Sequence, residues 1–202
     1  MSNLNQTPGA AASDAVTPEI AADWSARTGG QTHLRRVVYT ESVIARRVAE
    51  MGREIASCYG PGEEILMLGL LKGSFIFVAD LVREILRPVQ VDFLVASSYG
   101  AGMVSSGDLR LLYDPEAKLE GRHVILVEDI IDSGTTINRL VPMLAQRGPK
   151  SLELCALLHK RIAPSIALEA RWVGFEAPHE FLVGYGLDHA ESYRHVPYIG
   201  SL

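Results

Sequence analysis

Four consecutive apolar residues, Val124-Ile125-Leu126-Val127, run directly into Glu128-Asp129-Ile130-Ile131-Asp132 and then into Ser133-Gly134-Thr135-Thr136. An unbroken apolar run of this length suits a strand buried on both faces, the habit of parallel sheets covered by helices. The spacing predicts a strand over Val124–Glu128, ending abruptly at the paired carboxylates, and a helix from Thr136 to Gln146, stopped by Arg147-Gly148-Pro149. Strand, turn and helix in this order commit the chain to an open α/β sheet. In such sheets ligands bind beyond the carboxyl ends of the strands.

The turn carries its own chemistry. Ser133, Gly134, Thr135 and Thr136 offer hydroxyls and backbone N–H groups at a helix start, which is how proteins cradle phosphate. Neighbouring carboxylates, here Glu128 and Asp129, can accept hydrogen bonds from the two hydroxyls of a ribose. Together these groups read as a ribose 5-phosphate site. Two other phosphate loops are excluded: Lys72-Gly73-Ser74 has the wrong order for a Walker A loop, and no G-x-G-x-x-G follows a strand.

The rest of the chain supports a parallel, doubly covered sheet. Thr40 is placed to cap a helix bearing Ile44, Val48, Met51 and Ile55 at helical spacing. A buried strand is expected over Ile65–Leu70, a helix over about Phe75–Leu86, and strands over Val91–Ser97 and Leu152–Leu158. The Gly/Ser-rich segment from Ser98 to Gly107, with Leu111-Leu112 beyond it, reads as a hairpin or mobile loop. Trp172–Phe175 and Phe181–Val183 read as short strands. Residues 1–34 are rich in small and polar residues and are expected to be a flexible or accessory extension, with one folded domain over 35–202 beginning near Val37.

A formal charge of −5 argues against a nucleic-acid partner, and the densest apolar run, Ile65–Leu71, is too short to span a bilayer. The start of the chain has neither a basic segment nor an apolar core, so no secretory signal is expected. Cys58 and Cys155 stand apart with no metal-ligand spacing. These features suit a cytoplasmic protein.

The Val124–Thr136 run closely resembles the phosphoribosyl pyrophosphate (PRPP) signature of the type I phosphoribosyltransferases, and the likeness extends from about Val37 to Ile199. Leu70-Leu71-Lys72-Gly73-Ser74 is similar to the pyrophosphate loop of the purine enzymes, in which the peptide before the lysine can be cis. Ser97-Ser98-Tyr99-Gly100 resembles the catalytic lid of hypoxanthine-type enzymes, with Ser98 and Tyr99 in the lid positions. Lys160 matches the lysine that donates to the purine O6, although His159 stands where many relatives carry an acid. Phe181-Leu182-Val183-Gly184-Tyr185-Gly186-Leu187-Asp188, followed by Arg194, is similar to the segment that sandwiches the purine and reaches the metal.

The resemblance therefore implies a type I phosphoribosyltransferase fold, a mostly parallel sheet flanked by helices, with a small hood formed by N- and C-terminal segments. It implies Mg²⁺-dependent transfer of phosphoribose from PRPP to N9 of a 6-oxopurine, and a homodimer or homotetramer. Asp132 would be the general acid/base. Glu128 and Asp129 would hold the ribose hydroxyls and, with Asp188, reach the metal. Asp132 and Ser133–Thr136 would take the 5-phosphate, and Leu71, Lys72, Gly73 and Arg194 the pyrophosphate. Lys160, Phe181, Leu182 and Asp188 would bind the base. Two alternatives stay open, a guanine- or xanthine-preferring enzyme and a non-catalytic PRPP- or nucleotide-sensing regulator.

Overall fold

The computed structural model describes residues 16–30, 33–98, 109–161 and 166–202. The chain divides into two compact units, Arg46–His179 and the pair of segments Met1–Ala45 and Glu180–Leu202. In chain order the elements are α1 (Pro18–Thr28), β1 (Arg36–Tyr39), α2 (Glu41–Ser57), β2 (Ile65–Leu71), α3 (Phe75–Glu84), β3 (Val89–Ser98) and β4 (Leu109–Tyr113). They continue with β5 (His123–Ile131), α4 (Thr135–Ala145), β6 (Ser151–His159), β7 (Ala170–Glu176), β8 (Leu182–Val183) and β9 (Ile199–Ser201).

The larger unit is built on a six-stranded sheet in the order β4-β3-β2-β5-β6-β7. Every neighbouring pair is parallel except β3 with β4, which run antiparallel as the sequence suggested for that hairpin. Because strand positions alternate between faces, Leu66, Leu68, Val124 and Leu126 share one side, where they pack with Ile137, Leu140 and Leu144 of α4. Their neighbours Ile65, Met67, Ile125 and Val127 are equally buried, so both faces are covered. That is why these strands read as continuous apolar runs rather than as alternating ones. The chain moves from β2 to β3 on one side and later to β5 on the other. The carboxyl ends of β2 and β5 thus flank the point where strand order reverses, where open α/β sheets bind ligands.

The smaller unit, formed by N- and C-terminal segments, holds a three-stranded antiparallel sheet in the order β1-β9-β8. Its core comprises Trp24, Val37, Val183, Tyr193, Val196 and Tyr198.

Three differences from the sequence reading stand out. Strand β5 does not end at the paired acids: Glu128, Ile130 and Ile131 pair with Ala156, Leu158 and His159 of β6, so the ladder carries the backbone three residues further. Helix α3 stops at Glu84 rather than near Leu86, and Ile85 is already extended. Helix α1 lies inside the segment expected to be a flexible or accessory extension. Thr17 caps it by accepting from the Ile20 N–H at 3.3 Å, Pro18 sits at its first position, and Gly29 ends it in a left-handed conformation with φ of 68°.

Candidate active site

The site residues of the larger unit sit on three strand ends. Glu128 of β5 is buried, and its Oε2 has no hydrogen-bond partner. Burial first, and then the charge of Asp129, hold its carboxyl well above the ordinary carboxylate range. Asp129, one position on, is only partly buried. Its Oδ1 accepts from the Ile130 N–H at 2.9 Å, and its Oδ2 lies so close to Gly73 that a Cβ there would come within 1.6 Å. Gly73 is therefore glycine because the carboxylate at the end of β5 lies against the backbone loop after β2.

That loop begins with a cis peptide between Leu71 and Lys72. The geometry is the one the resemblance allowed for. Ser74 beneath it is fully buried and donates its hydroxyl to the Leu70 carbonyl at 2.6 Å, closing the turn into α3.

After β5 the chain turns through Asp132 and Ser133 to Gly134, which has φ of 72° and caps α4 without any side chain of its own. The Ser133 and Thr135 hydroxyls lie 2.9 Å apart, and the Asn138 N–H donates to the Gly134 carbonyl at 2.9 Å. A helix start capped by glycine leaves room at its first N–H groups for an anion.

Asp132 does not stand alone. Lys160 follows β6, its backbone N–H donates to the Ile131 carbonyl at 3.0 Å, and its ammonium lies 3.1 Å from Asp132 Oδ2. The structure thus joins the proposed acid/base to the proposed base-reading lysine, a pairing that residues 28 apart in sequence did not announce. His159, just before Lys160, is buried, and desolvation and then Arg161 push its imidazole below its usual pKa. The position that is often acidic is thus held by a group biased towards neutrality.

In the smaller unit the ring of Phe181 is half exposed and meets His189 edge-on, with centroids 5.2 Å apart. Leu182 is buried in β8. Asp188 accepts from Arg194 at 2.9 Å through Oδ1 and from the Glu191 N–H at 2.9 Å through Oδ2. Arg194 also donates to the Gly186 carbonyl at 2.8 Å and lies 3.3 Å from Glu191 Oε2. A planar fork of donors is thus fixed against a carboxylate and a carbonyl of its own loop. The backbone here is unusual: Tyr185, Ala190, Glu191 and Tyr193, besides Gly184 and Gly186, all have positive φ.

Of the expected lid residues, Ser98 ends β3, while Tyr99 lies outside the described residues. The sequence reading missed two contributors, His189 against Phe181 and the Asp132–Lys160 pair. It also passed over α1, although the Thr17-Pro18 start and the Gly29-Gly30 stop were legible helix punctuation.

A phosphoribosyl transferase domain model matches residues 39–190. The chain is 46% identical over 171 residues to the hypoxanthine phosphoribosyltransferase of Salmonella typhimurium, covering 84% of this chain and 96% of that protein. It is 43% identical over 171 residues to the hypoxanthine-guanine phosphoribosyltransferase of Dictyostelium discoideum, covering 83% and 95%. Among solved structures, a hypoxanthine-guanine phosphoribosyltransferase from Bacillus anthracis superposes with a TM-score of 0.78 at 42% identity, covering 84% of this chain and 99% of that one.

Proposed function

This chain belongs to the phosphoribosyltransferase family, among its hypoxanthine phosphoribosyltransferases, and from that premise we propose that it moves the 5-phosphoribosyl group of PRPP to N9 of hypoxanthine, and of guanine, releasing pyrophosphate. The observation that carries this reading is the Asp132–Lys160 contact at 3.1 Å. A carboxylate and an ammonium in contact match the adjoining N7–H and O6 of a 6-oxopurine protonated at N7, the carboxylate accepting from N7–H and the ammonium donating to O6. An ammonium has donors only, so it favours a 6-oxo acceptor over the 6-amino group of adenine.

Asp132 acts as general acid/base at N7 as the purine loses its proton. The Ser133–Thr136 turn anchors the 5-phosphate, so that binding energy remote from the reacting carbon positions it. Glu128 and Asp129 accept from the ribose hydroxyls beside the developing cation. Leu71, Lys72, Gly73 and Arg194 bind pyrophosphate, and Ser98 and Tyr99 close over the site to keep out water. Phe181 stacks on the base, and the Leu182 and Asp188 backbones read its edge.

Mg²⁺ fits this donor set. Glu128 carries a buried carboxylate oxygen without a partner and Asp129 adjoins it in sequence, while Asp188 is the further acid that the family resemblance assigns to the metal. Among the described residues no cluster of three or more ligating side chains forms. That suits a cation held by one or two carboxylates, waters and substrate phosphates. Bound there, it supplies charge that stabilises the pyrophosphate leaving group.

Two free cysteines and a net charge of −5 support a cytoplasmic enzyme without a nucleic-acid partner. No helix among the described residues is long and apolar enough to cross a membrane. The assembly proposed from the family is a homodimer or homotetramer. The direct test is a base panel with PRPP and Mg²⁺. Turnover of hypoxanthine with adenine and uracil inert supports the assignment, and the guanine and xanthine rates rank its substrates. Failure with every base alongside measurable PRPP binding would replace the enzyme with a nucleotide sensor.

A further inference from the structure

Helix α1 lies before residue 39, where the family match begins, yet it makes two separate contacts with the segment that bears Arg194. Trp24, 4% exposed, stacks on Tyr193 with centroids 5.3 Å apart and planes 6° from parallel. His195 Nε2 donates to the Arg27 carbonyl at 3.0 Å. Val196 and Tyr198, just beyond, lie with Trp24 in one buried cluster. The residues immediately before and after Arg194 are thus both held by one helix.

The backbone shows why such a hold is useful. Tyr193 has φ of 77°, a left-handed conformation that a bulky L-residue adopts only when its surroundings over-determine it. Its ring is sandwiched into the core by Trp24, so the stack supplies that determination. Glu191 and Ala190, at 64° and 51°, continue the same bend, and it is this bend that brings Arg194 back onto the Gly186 carbonyl and Asp188.

We propose that α1 is a positioning element for PRPP binding, with Trp24 holding the Tyr193 turn so that Arg194 and Asp188 keep the geometry that receives pyrophosphate. This rests on the function proposed above. Trp24 touches no substrate in this scheme and acts through Tyr193.

The test compares Trp24→Leu, which keeps an apolar filler without a ring, and Trp24→Ala with wild type. Trp24→Phe serves as the conservative rescue. Ile55→Ala, a cavity at the last turn of α2, controls for general loss of stability. Steady-state kinetics should show kcat/KM for PRPP falling roughly 10–100-fold in Trp24→Leu, mostly through KM, as expected for displacement of a binding group by about 1 Å. Trp24→Phe should recover most of this, and Ile55→Ala should lower Tm without the KM change.

Hydrogen exchange gives the second readout. The amides of Tyr185 and Gly186, bonded to the Val196 and Arg194 carbonyls at 2.7 and 2.9 Å, should exchange faster in Trp24→Leu but not in Ile55→Ala. Wild-type PRPP kinetics in Trp24→Leu, or a KM change that merely tracks Tm as in Ile55→Ala, overturns the inference. If the wild-type protein turns over no base, the proposed function is what fails, and the exchange rates alone then decide whether α1 holds the turn.

Discussion

At the end of β5, Glu128 and Asp129 keep their places because the backbone under them is a paired strand, continued by β6 as far as Ile131. In the loop from Gly184 to Tyr198, Asp188 and Arg194 keep theirs because glycines, left-handed residues and side-chain contacts bend a backbone that has almost no ladder beneath it. The first arrangement is rigid by periodicity, and site residues fall on it at positions set by the strand. The second is rigid only by the sum of particular contacts, so any one of them matters more. Damage at the sheet end should therefore appear mainly in chemistry, and damage in the loop in stability and binding together.

The sharpest test of the sheet end is Asp132→Asn. The amide keeps the size of the side chain but cannot take up a proton, so kcat should fall by about 10–10⁴-fold. PRPP affinity should stay near wild type, because the turn residues Ser133–Thr136 are untouched. Single-turnover kinetics with hypoxanthine measure this directly, and an unchanged kcat would remove Asp132 from the chemistry.

Two glycines probe the contrast itself. Gly184 has φ of 95°, and a Cβ there would meet the Tyr198 carbonyl at 2.1 Å, so Gly184→Ala combines strain with a clash against backbone that cannot rotate away. A loss of about 2–5 kcal/mol in urea unfolding is expected. The atoms nearest the Cβ of Gly73→Ala all belong to the Asp129 carboxylate, a side chain that can swing aside. That variant should lose under about 2 kcal/mol while its turnover drops clearly, since Asp129 has been displaced. Equal stability losses in both would erase the distinction drawn here.

The two regions also differed in how far they could be read in advance. The apolar run Val124–Val127, the acids after it and the small-residue turn announced strand, ligand edge and helix, because each depends on neighbours within a few residues. The extension of β5 past Glu128 was hidden, since it depends on pairing with β6. In the loop and just before it, residue types at Phe181, Asp188 and Arg194 were legible only through resemblance. Nothing local to Tyr193 signals a left-handed turn, because the contact that fixes it comes from Trp24, 169 positions earlier in the chain. The helix carrying Trp24 had its punctuation in plain view but only 11 residues and a sparse apolar face, Ile20 and Trp24, so its packing could not be inferred from it.

A smaller effect is expected at Lys160. Lys160→Ala removes a charged donor aimed at the purine O6, a contact of about 1.5–3 kcal/mol, so kcat/KM for hypoxanthine should fall roughly 10–100-fold. It also takes away the 3.1 Å partner of Asp132 Oδ2. Indifference of hypoxanthine kinetics to this change would separate Lys160 from base recognition.

The mildest change should come from Glu128→Gln, and it runs opposite in stability and in function. Burial and Asp129 raise the folded pKa of Glu128, so the folded protein retains a proton that the unfolded chain releases. Stability from this group is full below the ordinary carboxylate range and is lost as pH rises through the raised folded value. Glutamine has no proton to lose, so the variant should gain Tm relative to wild type as pH rises from 4 towards 8, while the two converge at the acid end. Turnover should fall in the same variant, because the amide can never ionise to the carboxylate that would accept a ribose hydroxyl and face a developing cation once substrate is bound. Thermal melts across this pH range decide the matter: parallel curves would mean that the Glu128 carboxyl is hydrated in solution, and the sheet end would then share the loop's dependence on individual contacts.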